Sequence, residues 1–227
     1  MNPILVAIDT PDMQKGLALA SKLAGVVGGI KLGLEFFSAQ GHAGVKSFAE
    51  LGLPIFLDLK FHDIPNTVAG AVRSVLPLSP FILNVHAQGG LNMMIEAKKA
   101  VLDCARPPLL IAVTVLTSLN QAKLNACGVP GKVEDQVLRL AGLAQEAGLD
   151  GVVCSGEEIA ALRRQCGPDF KLIVPGIRPV WAAVNDQERV KTPKEAVKEG
   201  ANWLVIGRPI TGADDPALAA QRILDEL

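Results

Sequence analysis

The sequence has no CxxC spacing among its four cysteines (Cys104, Cys127, Cys154 and Cys166) and gives them no clustered histidine partners. A zinc site or dithiol centre is therefore not expected. None of the four lies in a local nucleophile signature, so they are taken as reduced core or surface thiols of a cytoplasmic protein. An excess of either charge is also missing. Lys plus Arg number 22 and Asp plus Glu 23, a net charge of -1. That balance gives no attraction to nucleic acid or to an anionic membrane. Although the mean hydropathy is +0.32, no apolar run approaches the ~18 residues of a membrane span. A basic, apolar, cleavable leader is absent from the opening Met1-Asn2-Pro3-Ile4, which argues against secretion. No Gly-rich loop follows the first apolar run, where Asp9-Thr10-Pro11-Asp12 stands instead. This disfavours a doubly wound dinucleotide-binding sheet. No linker or low-complexity stretch interrupts the chain, and one domain over 1–227 is expected.

What is present is a regular alternation. Short runs rich in Val, Ile and Leu occur at 4–9, 29–32, 55–59, 81–86, 109–115, 151–154, 171–174 and 203–206. Such runs fit strands covered on both faces. Segments with helical spacing lie between them. Met13, Leu17, Ala20, Ala24 and Val27 trace one helix face. Thr10-Pro11, Thr192-Pro193 and Asp215-Pro216 each place a capping residue before a first-turn proline. Glu195 completes a capping box with Thr192. Eight strand–helix units predict an α/β fold, specifically a compact (β/α)8 TIM barrel.

In that architecture chemistry sits where strands hand over to the following helices. The rule selects Asp9, Lys31, Asp58, Lys60, His86, the stretch 114–118, Gly207 and Arg208. Asp58 and Lys60 are two apart on a strand and share a face; alone they could equally be a structural ion pair. Four charges at one rim are harder to explain as packing. After the seventh and eighth runs come Pro175-Gly176-Ile177-Arg178 and Gly207-Arg208-Pro209. Barrels often bind phosphate there, and arginine can fork two oxygens of an anion. The polar segment 175–192 is long for a βα loop and suggests a lid. His62 and His86 are left without a role, and no metal is expected because lysines already supply positive charge among Asp9, Asp58 and Asp63.

The segment Asp58-Leu59-Lys60-Phe61-His62-Asp63-Ile64-Pro65-Asn66-Thr67 closely resembles the signature of the orotidine 5'-phosphate decarboxylase family. Asp9, Lys31, 115–118, Pro175-Gly176-Ile177-Arg178, Asp186-Gln187 and Gly207-Arg208-Pro209-Ile210 match in order, so the resemblance spans the chain. It implies a cofactor-free homodimer with shared active sites, acting on orotidine 5'-phosphate. Lys60 would donate the proton, within an array of Lys31, Asp58, Lys60 and a partner's Asp63. Asp9, Lys31, Thr117 and a partner's Ile64 and Thr67 would hold ribose and base. Arg178, Gln187, Gly207 and Arg208 would hold the phosphate. The chain departs from the family at Val174, often threonine, and at Asn202, often aspartate.

Two other readings stay open. A magnesium-dependent barrel acting on phosphosugars also carries Asp-x-Lys, and a Schiff-base lysine is a further enzymatic variant. A non-catalytic phosphometabolite-binding barrel is not excluded by fold; tight nucleotide binding without CO2 release would favour it.

Overall fold

The structure is a computed structural model that describes residues 2–182 and 191–227. Eight parallel strands close into a barrel in chain order: β1 (Ile4–Ile8), β2 (Gly29–Gly33), β3 (Ile55–Phe61), β4 (Ile82–His86), β5 (Leu109–Val113), β6 (Gly151–Val153), β7 (Lys171–Pro175) and β8 (Trp203–Ile206). Closure is made by β8 on β1, with Leu5 opposite Val205. Helices α1 (Met13–Leu23), α2 (Leu34–Ala49), α3 (Pro65–Val75), α4 (Leu91–Leu102), α5 (Gln121–Ala126), α6 (Val133–Glu146), α7 (Ile159–Cys166), α8 (Pro193–Glu199), α9 (Arg208–Thr211) and α10 (Pro216–Asp225) surround them, and short 3-10 turns at Leu76–Leu78, Ala87–Gly89 and Gly156–Glu158 complete the described elements. The fold is the expected TIM barrel, and all eight expected strands are present, with ends shifted by at most two residues.

The strands read as unbroken apolar runs because each contributes to two cores. Ile4, Val6, Ile8, Ile30, Leu32, Leu57, Leu83 and Leu204 belong to the outer core between sheet and helices. Leu5, Ala7, Phe56, Ile82, Ile111, Ile173, Trp203 and Val205 fill the barrel itself. Phe81 and Trp203 meet edge to face at 5.5 Å, adding an aromatic pair to the interior core. The inward rows advance by two residues. Leu5 and Ala7 lead to Asp9, Phe56 leads to Asp58 and Lys60, and Ile82 leads to Asn84 and His86. The interior thus changes from apolar to charged toward the C-terminal mouth.

Strand β3 departs from the expected simple alternation. Its pairing with β4 shifts between Leu57↔Leu83 and Phe61↔Val85, so four steps on β3 span two on β4. Lys60 sits inside this bulge with φ 51°, in the left-handed region. A non-glycine residue there costs roughly 1–3 kcal/mol and needs support from its surroundings.

Two local expectations are corrected. The first helix is capped by Asp12, which accepts from the Gln14 and Lys15 N–H groups, rather than by Thr10 before Pro11. An ionised carboxylate taking two orphan N–H groups makes the stronger cap. Its buried face is Gly16, Ala20 and Leu23, while Ala24 is the exposed C-cap. The other two starts are as read: Thr192 and Glu195 form a capping box, and Asp215 accepts from the Leu218 N–H. At Asn202 the side-chain oxygen accepts from Arg163 and from the Leu172 N–H. The neutral amide therefore fills the acceptor role there without needing a charge.

The segment after β7 is closed at its base. Ile177 bridges Lys191, and the Arg178 N–H donates to the Lys191 carbonyl at 3.1 Å. Trp181 donates to Glu226 at 2.9 Å under the Arg222 guanidinium, tying the start of the segment to the C-terminal helix region. Residues 183–190, including the expected phosphate ligand Gln187 and much of the expected lid, lie outside the described residues.

Ile111 is fully buried inside the barrel. Ile111→Ala should lower the unfolding free energy by about 2–5 kcal/mol, read as a lower urea midpoint with little change in slope.

Candidate active site

Four side chains from three strand ends form an alternating ionic line. Lys31 Nζ lies 3.0 Å from Asp9 Oδ1 and 3.5 Å from Asp58 Oδ2. Asp58 Oδ1 in turn accepts from Lys60 Nζ at 2.6 Å. Asp58 is the buried member, 7% exposed. Burial pushes its carboxyl up, but the Lys31 and Lys60 ammoniums and hydrogen bonds from Lys60 and Asn84 outweigh that effect. The carboxyl ends below the usual carboxylate range.

Magnitudes show why this is a poor stabilising device. A close pair gains roughly 5 kcal/mol at an effective dielectric near 20, while desolvation removes several kcal/mol per ion. The gain and the penalty nearly cancel. What remains is a rigid field of alternating sign, set before any ligand arrives.

Two cavities meet at this array. One, of about 170 Å³, is lined by Lys31, Asp58 and Lys60, by Leu116 and Thr117, and by an apolar wall that includes Phe56 and Val153. The other, of about 520 Å³, is lined by Asp9, Lys31, Gly176, Arg178, Gly207 and Arg208. They share Lys31, Pro175 and Val205. The first suits a flat, mostly apolar group bearing one charge. The second presents two guanidinium-bearing residues to an anion. Gly176, at φ 76°, makes the turn between them in a conformation most side chains avoid. A larger open crevice of about 660 Å³ lies elsewhere, at Arg73, Pro77 and Asp103; its Arg73–Asp103 pair is spent on itself at 3.5 Å.

Of the residues expected in the site, Lys31, Asp58, Lys60, Asp9, Thr117, Arg178, Gly207 and Arg208 line these two cavities. Asp63, Ile64 and Thr67 do not. They occupy the exposed start of α3, with Ile64 67% exposed. The apolar wall from Phe56 and Val153 was not singled out from the sequence, because those residues resemble ordinary strand core. Asn84 was missed too, though a lone amide on the inward row of β4 was a usable signal. Its Oδ1 accepts the Lys60 N–H at 2.8 Å and its Nδ2 donates to Asp58 Oδ1 at 2.7 Å. The His62 and His86 rings lie 5.5 Å apart, tilted by 31°. Among the described residues, no group of three or more His, Cys, Asp or Glu is arranged to hold a metal ion.

A (β/α)8 barrel whose mouth joins a lysine–aspartate array to an arginine-lined pocket is an enzyme framework for phosphorylated small molecules. The chain belongs to the orotidine 5'-phosphate decarboxylase / HUMPS family, whose model matches residues 2–223. It is 59% identical to the orotidine 5'-phosphate decarboxylase of Rhodospirillum rubrum, over 100% of this chain and 94% of that one. Identity to the Moorella thermoacetica enzyme of the same name is 52%, over 99% and 91%. The crystal structure of orotidine 5'-phosphate decarboxylase from Lactobacillus acidophilus superposes with a TM-score of 0.89 at 37% identity, covering 100% and 99% of the two chains.

Burial, His62 and Lys60 push the His86 ring down to about 4, against the opposing pull of Asp58. Its folded pKa lies below its unfolded value, so the unfolded chain binds the extra proton first. This contribution to stability is complete above about pH 6.5 and declines as pH falls toward about 4. His86→Phe should flatten the fall in melting temperature across that window, and an unchanged slope would refute the assignment.

Proposed function

We propose that the mouth of this barrel decarboxylates orotidine 5'-phosphate to uridine 5'-phosphate and CO2 without a cofactor, with Lys60 as proton donor. The observation that carries the reading is the Lys31–Asp58–Lys60 line along a partly apolar cavity, with Lys31 at its junction with an arginine-lined one. The base would enter the smaller cavity against Phe56 and Thr117, and the phosphate would meet Arg178, Gly207 and Arg208, joined by Gln187. Lys31 lines both cavities and Asp9 pairs with it in the larger one, so the two suit the ribose hydroxyls.

The C6–carboxylate bond breaks and its electron pair stays on C6, in an sp2 orbital that the ring π system cannot delocalise. Charge stabilisation must then come from fixed groups. Asp58 accepts from Lys60 Nζ at 2.6 Å and so aims its ammonium. As neutral CO2 leaves, repulsion between Asp58 and the substrate carboxylate disappears. The Lys60 ammonium proton passes to C6 and solvent reprotonates the amine, so one proton is consumed per turnover. One ammonium at ~3 Å supplies roughly 5–6 kcal/mol, or about four powers of ten in rate. The rest must come from preorganisation and from binding energy at the remote phosphate.

The reading includes a cytoplasmic homodimer with shared sites. The sharing is supported by the exposure of Asp63, Ile64 and Thr67, motif residues that do not reach their own cavity.

EDTA-treated protein should convert orotidine 5'-phosphate, followed by ultraviolet absorbance, with Lys60→Ala slower by about 10⁴-fold or more. Loss of activity with EDTA would favour a magnesium-dependent phosphosugar enzyme instead. Arg208→Ala should lower kcat/KM strongly although it lies in the other cavity; normal kinetics would exclude the coupling. Mixing Lys60→Ala with Asp63→Ala subunits should restore about a quarter of the sites, since half of the dimers are mixed and each has one complete site. No recovery after demonstrated subunit exchange would rule out sharing.

A further inference from the structure

The Asp58–Lys60 pair hangs on a residue outside both cavities. Asn84 is fully buried in β4, and its amide orientation is fixed by its neighbours. The Lys60 backbone N–H can only donate, so the atom facing it at 2.8 Å must be the amide oxygen. The amide nitrogen then points at Asp58 Oδ1, 2.7 Å away. Because the β3–β4 register shifts at this point, the Lys60 N–H takes a side-chain acceptor from β4. That bond ties down the one bulge residue in the left-handed region. Asp58 Oδ1 consequently receives two donors from fixed directions, Lys60 Nζ and Asn84 Nδ2.

We propose that Asn84 is a positioning residue for the decarboxylation, holding the Lys60 backbone in its left-handed turn and the Asp58 carboxylate in its rotamer. It lines neither cavity and acts only through those two groups. The inference rests on the reaction proposed above. The charged or titratable groups facing Asp58 are Lys31 from β2, Lys60 from β3 and His86 from β4. Asn84 is the neutral donor among them and lowers the carboxyl with them.

The two halves of the amide can be separated by substitution. In Asn84→Asp the shape is kept, but an ionised carboxylate cannot donate to Asp58 and repels it. When protonated, the introduced carboxyl accepts from the Lys60 N–H and donates to Asp58, reproducing the native pattern. Asn84→Leu removes both bonds at every pH.

Wild type is assayed first, and its failure to release CO2 would refute the reaction rather than the role of Asn84. With an active wild type, kcat of Asn84→Leu should fall about 10–100-fold, while the affinity for uridine 5'-phosphate changes by less than about threefold. The kcat ratio of Asn84→Asp to wild type should climb as pH falls from about 8 to about 5, by at most about tenfold per unit. A purely structural role would leave that ratio flat. A flat ratio overturns the proposal, as does a folded Asn84→Leu with kcat within about threefold of wild type. Should Asn84→Leu not fold, the Asn84→Asp profile decides alone, because protonation is then varied within one folded protein.

Discussion

A carboxylate inside a barrel stays ionised only if enough positive charge and enough hydrogen-bond donors surround it, and much of the mouth of this molecule follows from meeting that condition at Asp58. Lys31 reaches it from β2, Lys60 from its own strand and Asn84 from β4. Three neighbouring strands are thereby locked at one height. The bulge in β3 and the left-handed backbone of Lys60 belong to the same arrangement. Strain of this kind persists where surrounding contacts over-determine it.

That condition also ties the electrostatics to the chemistry. An ion pair that nearly cancels its own desolvation adds little to stability, but it gives a field that needs no reorganisation when charge develops on a ligand. Lys31 is common to both cavities, so anything spanning them lies along the ionic line. The glycine turn after β7 and Arg208 after β8 line the larger cavity. The apolar wall of Phe56 and Val153 faces the charged residues across the smaller cavity.

Much of this was legible in advance. A strand buried on both faces needs continuous apolar residues, so all eight runs could be read directly, and their boundaries moved little. Residues at the strand ends fell together because the C-terminal rim of a barrel is one place in space. Local chemistry was readable too: Thr192 and Glu195 cap α8 because the two groups that satisfy each other are three residues apart. The cap at Asp12 was misread where a threonine before proline competed with a better acceptor two residues on. Asn84 stayed hidden because its partners are 24 and 26 residues away. The comparison with known proteins shows the family independently of these details.

The sequence alone determined the barrel, its mouth and the identities of the charges there, since periodicity and strand-end position are local properties of the chain. The tertiary structure alone decided that Lys31 stands between two aspartates and that Lys60 turns through a bulge. It also decided that a buried amide links the two members of Asp-x-Lys, and that Asp63, Ile64 and Thr67 are exposed and line neither of their own cavities. Those outcomes depend on the register between strands and on the balance of desolvation against pairing. Both arise from groups distant in sequence that meet only when the barrel closes.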